Sequence, residues 1–116
     1  MTYVADLHLH SYLARGTSKD LTFPNLARWA AIKGIDLLAS ADFTHPAWLK
    51  EIEDHLREAG GGLYEHGGVK FVLGTEVSCS GRQGDRNRRV HMLVFAPDLD
   101  AVRRINAALS GRGRLE

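Results

Sequence analysis

Four short apolar runs punctuate the chain: "YVADLHL" near the N-terminus, then "IDLLASA", "VKFVLGTEVS" and "VHMLVFA". Their length and bounding turn residues suit buried strands. Segments of helical period separate them. "PNLARWAAIKG" puts Pro24 in a first turn, where a missing N–H costs nothing, and Gly34 at the C′ position. Leu26, Trp29, Ala30 and Ile32 form its predicted apolar face. A second helix is predicted to start at Pro46 behind a Thr44 cap, with Trp48, Leu49, Ile52 and Leu56 on one face and a stop at Gly60 to Gly62. "DLDAVRRINAAL" reads as a third helix with Val102, Ile105 and Leu109 inward. The predicted order is β-α-β-α-β-β-α. Such alternation argues an α/β fold with a largely parallel sheet under helices. The last two strands, joined by one loop, are expected to be antiparallel.

In parallel α/β folds, functional residues gather at the carboxyl ends of strands. The polar residues of this chain fall there. His8 and His10 follow the first run, and residues i and i+2 of a strand point to one face, so both rings can reach a common ion about 2 Å away. Asp42 and His45 stand at the exit of the second run, in "ADFTHP". Glu76 lies near the end of the third, where a carboxylate is costly to bury without a partner or a metal. His91 opens the fourth, beside the end of its antiparallel neighbour. The candidate metal ligands are therefore His8, His10, Asp42, His45, Glu76 and His91. Mixed imidazole and carboxylate donors suit Zn²⁺, Mn²⁺ or Fe²⁺ better than Ca²⁺, and six of them suggest more than one ion. His55, among charged helix neighbours, reads as a surface residue, and His66, in "YEHGG", as lying in a Gly-rich turn with no strand to aim it, so neither is expected in the site.

Net charge is near zero overall but uneven: from Arg82 to Arg114 there are eight Arg against three Asp. "GRQGDRNRR" carries Arg82, Arg86, Arg88 and Arg89 in what reads as a loop, either simply solvated or in contact with phosphate. Arg15 and Lys19 in "RGTSKD" offer the same two readings. No apolar run approaches the length of a membrane span, no signal peptide is evident, and Cys79 has no partner for an internal disulfide. A cytoplasmic setting is expected.

The motifs "DLHLHS", "ADFTHP", "GTEVS" and "VHMLVFAPD" resemble the successive metal-binding motifs of the PHP (polymerase and histidinol phosphatase) superfamily. In that family the second motif usually has Asp and His adjacent, whereas here two residues separate Asp42 from His45. This spacing, with "SYLARGTSKDL", "NLARWAAIKGIDLL" and "FTHPAWLKEIE", is similar to the N-terminal part of the endonuclease Q family. The resemblance implies the N-terminal part of a distorted (β/α)₇ barrel, residues 1–116 forming a partial PHP domain without the later strands. It implies a site of up to three divalent ions, Zn or Mn with Fe or Mg as alternatives, and would make His8, His10 and Glu76 the catalytic core. It also implies a DNA repair endonuclease that nicks 5′ of deaminated bases or at abasic sites. A further segment or another chain would complete the barrel. Two other functions stay open: a phosphatase acting on a small phosphate monoester, and a non-catalytic module that binds metal, DNA or a partner chain.

Overall fold

The computed structural model describes residues 2–9, 11 and 21–111. Among them are six strands and three helices in the order β1 (Ala5–Asp6), α1 (Phe23–Lys33), β2 (Leu37–Ala39), α2 (Pro46–His55), β3 (Arg57–Gly60), β4 (Leu63–His66), β5 (Val69–Gln83), β6 (Arg86–Ala96) and α3 (Leu99–Ser110). The fold is mixed α/β, as expected, with one hairpin more than the sequence suggested.

Strands β1, β2 and β5 run parallel, with Asp6 opposite Leu38 and Leu38 opposite Phe71. Strand order is β1-β2-β5-β4-β3, and β6 pairs with the far part of β5. The expected parallel character holds for this half, while β3, β4 and β6 are all antiparallel to their neighbours. Alternation divides β5 cleanly. Val69, Phe71, Leu73 and Thr75 are buried toward the helices, joining Leu38, Trp48, Ile52 and Val102 in one core. Leu37 and Val72 point to the other side, where they line an apolar hollow of about 350 Å³ with Leu7, Phe95 and Pro97.

The first helix follows the expected bounds, with Pro24 in its first turn and Gly34 closing it at φ 72°. Its buried face differs: Phe23, Leu26, Ala27 and Ala30 face the core, while Trp29 and Ile32 are exposed. The small Ala27 and Ala30 let the helix approach the sheet, and Phe23 stacks on Trp48 at 4.5 Å between ring centroids. Trp29 instead lies under the Lys33 ammonium, 4.2 Å from its ring.

The second helix starts at Pro46, as expected, but with His45 rather than Thr44 as its N-cap, and it ends at His55 instead of running on to Gly60. Leu56 is buried, so it satisfies a helical period and a strand entrance equally, and the chain takes the second course. The glycines that were expected to stop a helix turn the β3–β4 hairpin instead: Gly60, Gly61 and Gly62 all have positive φ. The third helix is as expected, with Asp98 accepting from the Ala101 N–H at 2.8 Å and Val102 fully buried.

The arginine-rich segment is not a loop. It completes a continuous ladder in which Leu73 faces Ala96 and Gln83 faces Arg86, closed by a two-residue turn at Gly84 and Asp85. A Gly-Asp pair between strand-forming runs is itself a hairpin signal. Among the described residues, no helix is long and apolar enough to cross a membrane.

Candidate metal centre on the strand rim

The carboxyl ends of the parallel strands carry most of the expected site residues. His8 lies two residues beyond β1, Asp42 three beyond β2, and Glu76 in β5 past its pairing with β2. His91 arrives from β6, opposite Ser78. Because β1 is short, His8 is held by local contacts as well, its N–H donating to the Asp6 carboxylate at 3.2 Å.

Glu76 is the hub. Its side chain is 18% exposed, and each oxygen meets a different imidazole: Oε2 the Nε2 of His8, Oε1 the Nδ1 of His91 at 2.8 Å. Both rings are more than half exposed, so the carboxylate is covered by groups that solvent and ligand can reach. A mostly buried carboxylate needs such partners.

Asp42 and His45 are positioned differently. Asp42 Oδ2 accepts from both the N–H and the Oγ–H of Ser11, at 2.9 and 2.5 Å. Its backbone carbonyl accepts from the His45 N–H at 3.0 Å. Ala41 and Asp42 take φ of 60° and 43°, two consecutive left-handed residues where side chains are rarely found. His45 Nδ1 accepts from the Ala47 N–H at 3.2 Å, which orients the ring and leaves Nε2 to carry the ring N–H, so binding a metal through Nε2 would require this contact to break.

Among the described residues, no group of three or more His, Cys, Asp or Glu converges on a common point as a metal site. Glu76 gathers its two imidazoles through separate oxygens, while Asp42 and His45 engage their own partners. The donor set nonetheless suits a borderline divalent cation, since neutral imidazole nitrogens and a shared carboxylate are its ordinary ligands. His10, Arg15 and Lys19 lie outside the described residues.

Two residues that hold the rim were missing from the sequence expectations. Ser11 is fully buried and binds Asp42 across 31 positions of sequence. Ser40 is fully buried too: its Oγ accepts from the Gly74 N–H at 3.1 Å, and its carbonyl accepts from Trp48 Nε1–H at 2.8 Å, tying β2 to β5 and α2. The hydroxyl within the apolar run "LLASA" was the available signal for Ser40. His66 is the last residue of β4 rather than a turn residue, and it meets His55 edge to face at 5.6 Å, with His66 Nδ1–H donating to the His55 carbonyl at 3.0 Å. They stand by the entrance of β5, not its exit.

The four arginines of the β5–β6 hairpin are all exposed. None of them forms an ion pair among the described residues.

Comparison with solved structures gives two close likenesses. The lesion-specific endonuclease PfuEndoQ from Pyrococcus furiosus matches all of this chain and 28% of its own, at 34% identity and a TM-score of 0.84. Endonuclease Q in complex with a 27-mer duplex substrate with an abasic lesion at the active site matches 95% of this chain and 26% of its own, at 35% identity and a TM-score of 0.82. The uncharacterized protein MJ0043 of Methanocaldococcus jannaschii is 31% identical over 104 residues, covering 90% of this chain and 11% of that protein. The chain thus spans about a quarter of the solved structures and about a tenth of the curated relative. No family model matches it.

Proposed function

We propose that this chain is the N-terminal, metal-holding part of a lesion-specific DNA endonuclease of the endonuclease Q kind, residues 1–116 forming part of a PHP barrel. The observation that carries the reading is Glu76, clasped by His8 and His91 at the strand rim of a chain whose whole length follows PfuEndoQ. His8, His10, Asp42, His45, Glu76 and His91 would hold divalent ions, with Zn or Mn the best match to the donors. Such ions lower the pKa of bound water toward about 7 and stabilise charge on phosphate oxygens.

The chain's own residues supply position. Glu76 holds one imidazole at each carboxylate oxygen. Ser11 fixes Asp42. The hairpin arginines, with Arg15 and Lys19, would contact backbone phosphates, which set register without reading sequence. Recognition of a deaminated base or an abasic site requires extruding a nucleotide into a pocket.

The test is a nicking assay on duplex DNA with one abasic site or uracil, with Mn²⁺ or Zn²⁺ supplied. Cleavage 5′ of the lesion, lowered at least about 100-fold in Glu76→Ala, is the expected outcome. Hydrolysis of p-nitrophenyl phosphate with DNA left intact would favour a monoester phosphatase instead. Metal binding with neither activity would select one other reading, a binding module without turnover.

A further inference from the structure

The β5–β6 ladder sorts the hairpin arginines onto two faces. Directly opposed residues of an antiparallel pair share a face, and alternate residues along each strand do too. The face of Glu76 therefore carries Ser78, Ser80 and Arg82 on β5, with His91, Arg89 and Asn87 opposite them on β6. The other face carries Val77, Cys79 and Gly81, with Met92, Val90 and Arg88 beyond, and Arg86 continues it. Only Arg82 and Arg89 thus share a side with the candidate metal centre.

The composition of the two faces differs in kind. Beyond the Glu76–Leu93 pair, the strip toward the turn holds hydroxyl, amide, imidazole and guanidinium groups with no carboxylate in the ladder, while exposed Leu93 and Phe95 lie at its inner end. The opposite face mixes its two arginines with exposed Val90 and Met92. At about 3.4 Å per residue, the strip runs about 20 Å from Glu76 to the Arg82–Asn87 pair. A hollow of about 600 Å³ near its end is bordered by Ser80, Arg82, Asn87 and Arg89 of this face, and by Gly81 and Arg88 of the other.

We propose that the Glu76 face of the hairpin is a backbone track for one nucleic-acid strand, with Arg82 and Arg89 as its phosphate contacts and Arg86 and Arg88 off the track. Guanidinium donors among neutral groups, with no carboxylate to repel an anion, fit phosphate and sugar oxygens, not base edges of defined pattern. The strip matches about six nucleotides of rise at 3.4 Å each, so it holds the strand to one side of the metal centre. This inference rests on the nucleic-acid reading of the site and adds which residues meet the strand.

Two double variants separate the faces at equal change of net charge: Arg82→Ala/Arg89→Ala and Arg86→Ala/Arg88→Ala. Binding of a labelled 30-base-pair duplex with one abasic site is followed by fluorescence anisotropy between 50 and 200 mM salt. Losing Arg82 and Arg89 should flatten the log–log salt slope by about 1.8, a difference of about 12-fold in how far affinity falls over that range. Losing Arg86 and Arg88 should leave the slope near that of the parent chain. Arg82→Lys/Arg89→Lys should restore it, because counterion release counts charge. Equal flattening by both Ala pairs, or more by Arg86 and Arg88, overturns the face assignment alone. Absence of binding by the unsubstituted chain at 50 mM salt overturns the nucleic-acid reading and the track with it.

Discussion

Asp42 shows how single residues are held at the rim. It sits at φ 43° directly after Ala41 at φ 60°, a strained pair kept in place by the Ser11 bonds and the turn to His45. Asp42→Ala removes the acceptor for both Ser11 donors and keeps the unfavourable backbone, so it should cost about 2 kcal/mol in urea unfolding. Asp42→Asn, which tolerates left-handed backbone and keeps an oxygen, should cost about half of that. Gly74 is constrained by space instead: a Cβ there would lie 3.0 Å from the Phe95 ring and 3.4 Å from the Ala39 Cβ. Gly74→Ala should therefore cost about 1–3 kcal/mol, with part returned when Phe95→Ala is added in the same chain. Glu76 and His91 were legible because alternation along β5 and β6 dictates where they emerge, whereas His8 lies beyond β1 and owes its position to a local contact with Asp6. Ser11 was not legible, because its partner is 31 residues away and nothing local distinguishes it from a loop serine.

At the scale of elements, three helices and the four principal strands were readable from periodicity, and the β3–β4 hairpin was not. Trp48, Ile52 and Leu56 keep a spacing of four, which reads as one helical face, yet the chain leaves the helix at His55. What decides it is tertiary: Tyr64 of β4 is buried, and its hydroxyl accepts from the Leu99 N–H at 3.2 Å, joining the hairpin to the start of α3. Tyr64→Phe should cost about 1 kcal/mol and speed hydrogen exchange at the Leu99 amide. Burial also raises the Tyr64 pKa above the ordinary tyrosine value. The folded state then keeps the proton longer than the unfolded chain, so the associated stability is complete below about pH 10 and is lost as pH rises through the folded value. Unfolding followed from pH 9 to 11 should show this alkaline loss in the parent chain and a shallower one in Tyr64→Phe. The arginine segment was misread for a simpler reason. Its polar residues resemble a loop, but the ladder continues through them because an exposed hairpin needs no apolar face to keep its register when a Gly-Asp turn closes it.

Over the whole molecule, helices cover one side of the sheet, while the other presents Leu7, Leu37, Val72 and Phe95 beside the metal-centre residues. Among the described residues, the Glu76 rim and the Arg82–Arg89 strip lie on that same side, so the fold places the proposed metal-holding groups, an apolar surface and the proposed phosphate contacts on one face. Chain order and strand polarity made the rim foreseeable. The division of the arginines between two faces was not, since it follows from a register that only the folded ladder defines. The central claim is that this face holds divalent metal. Its most direct test is the metal content of the purified 116-residue chain after loading with Zn²⁺ or Mn²⁺, by plasma mass spectrometry, beside His8→Ala/His10→Ala and Glu76→Gln. About one or more ions per chain, lost in both variants, is the predicted result. A folded parent chain that retains no metal, or variants that retain as much as the parent, would contradict it.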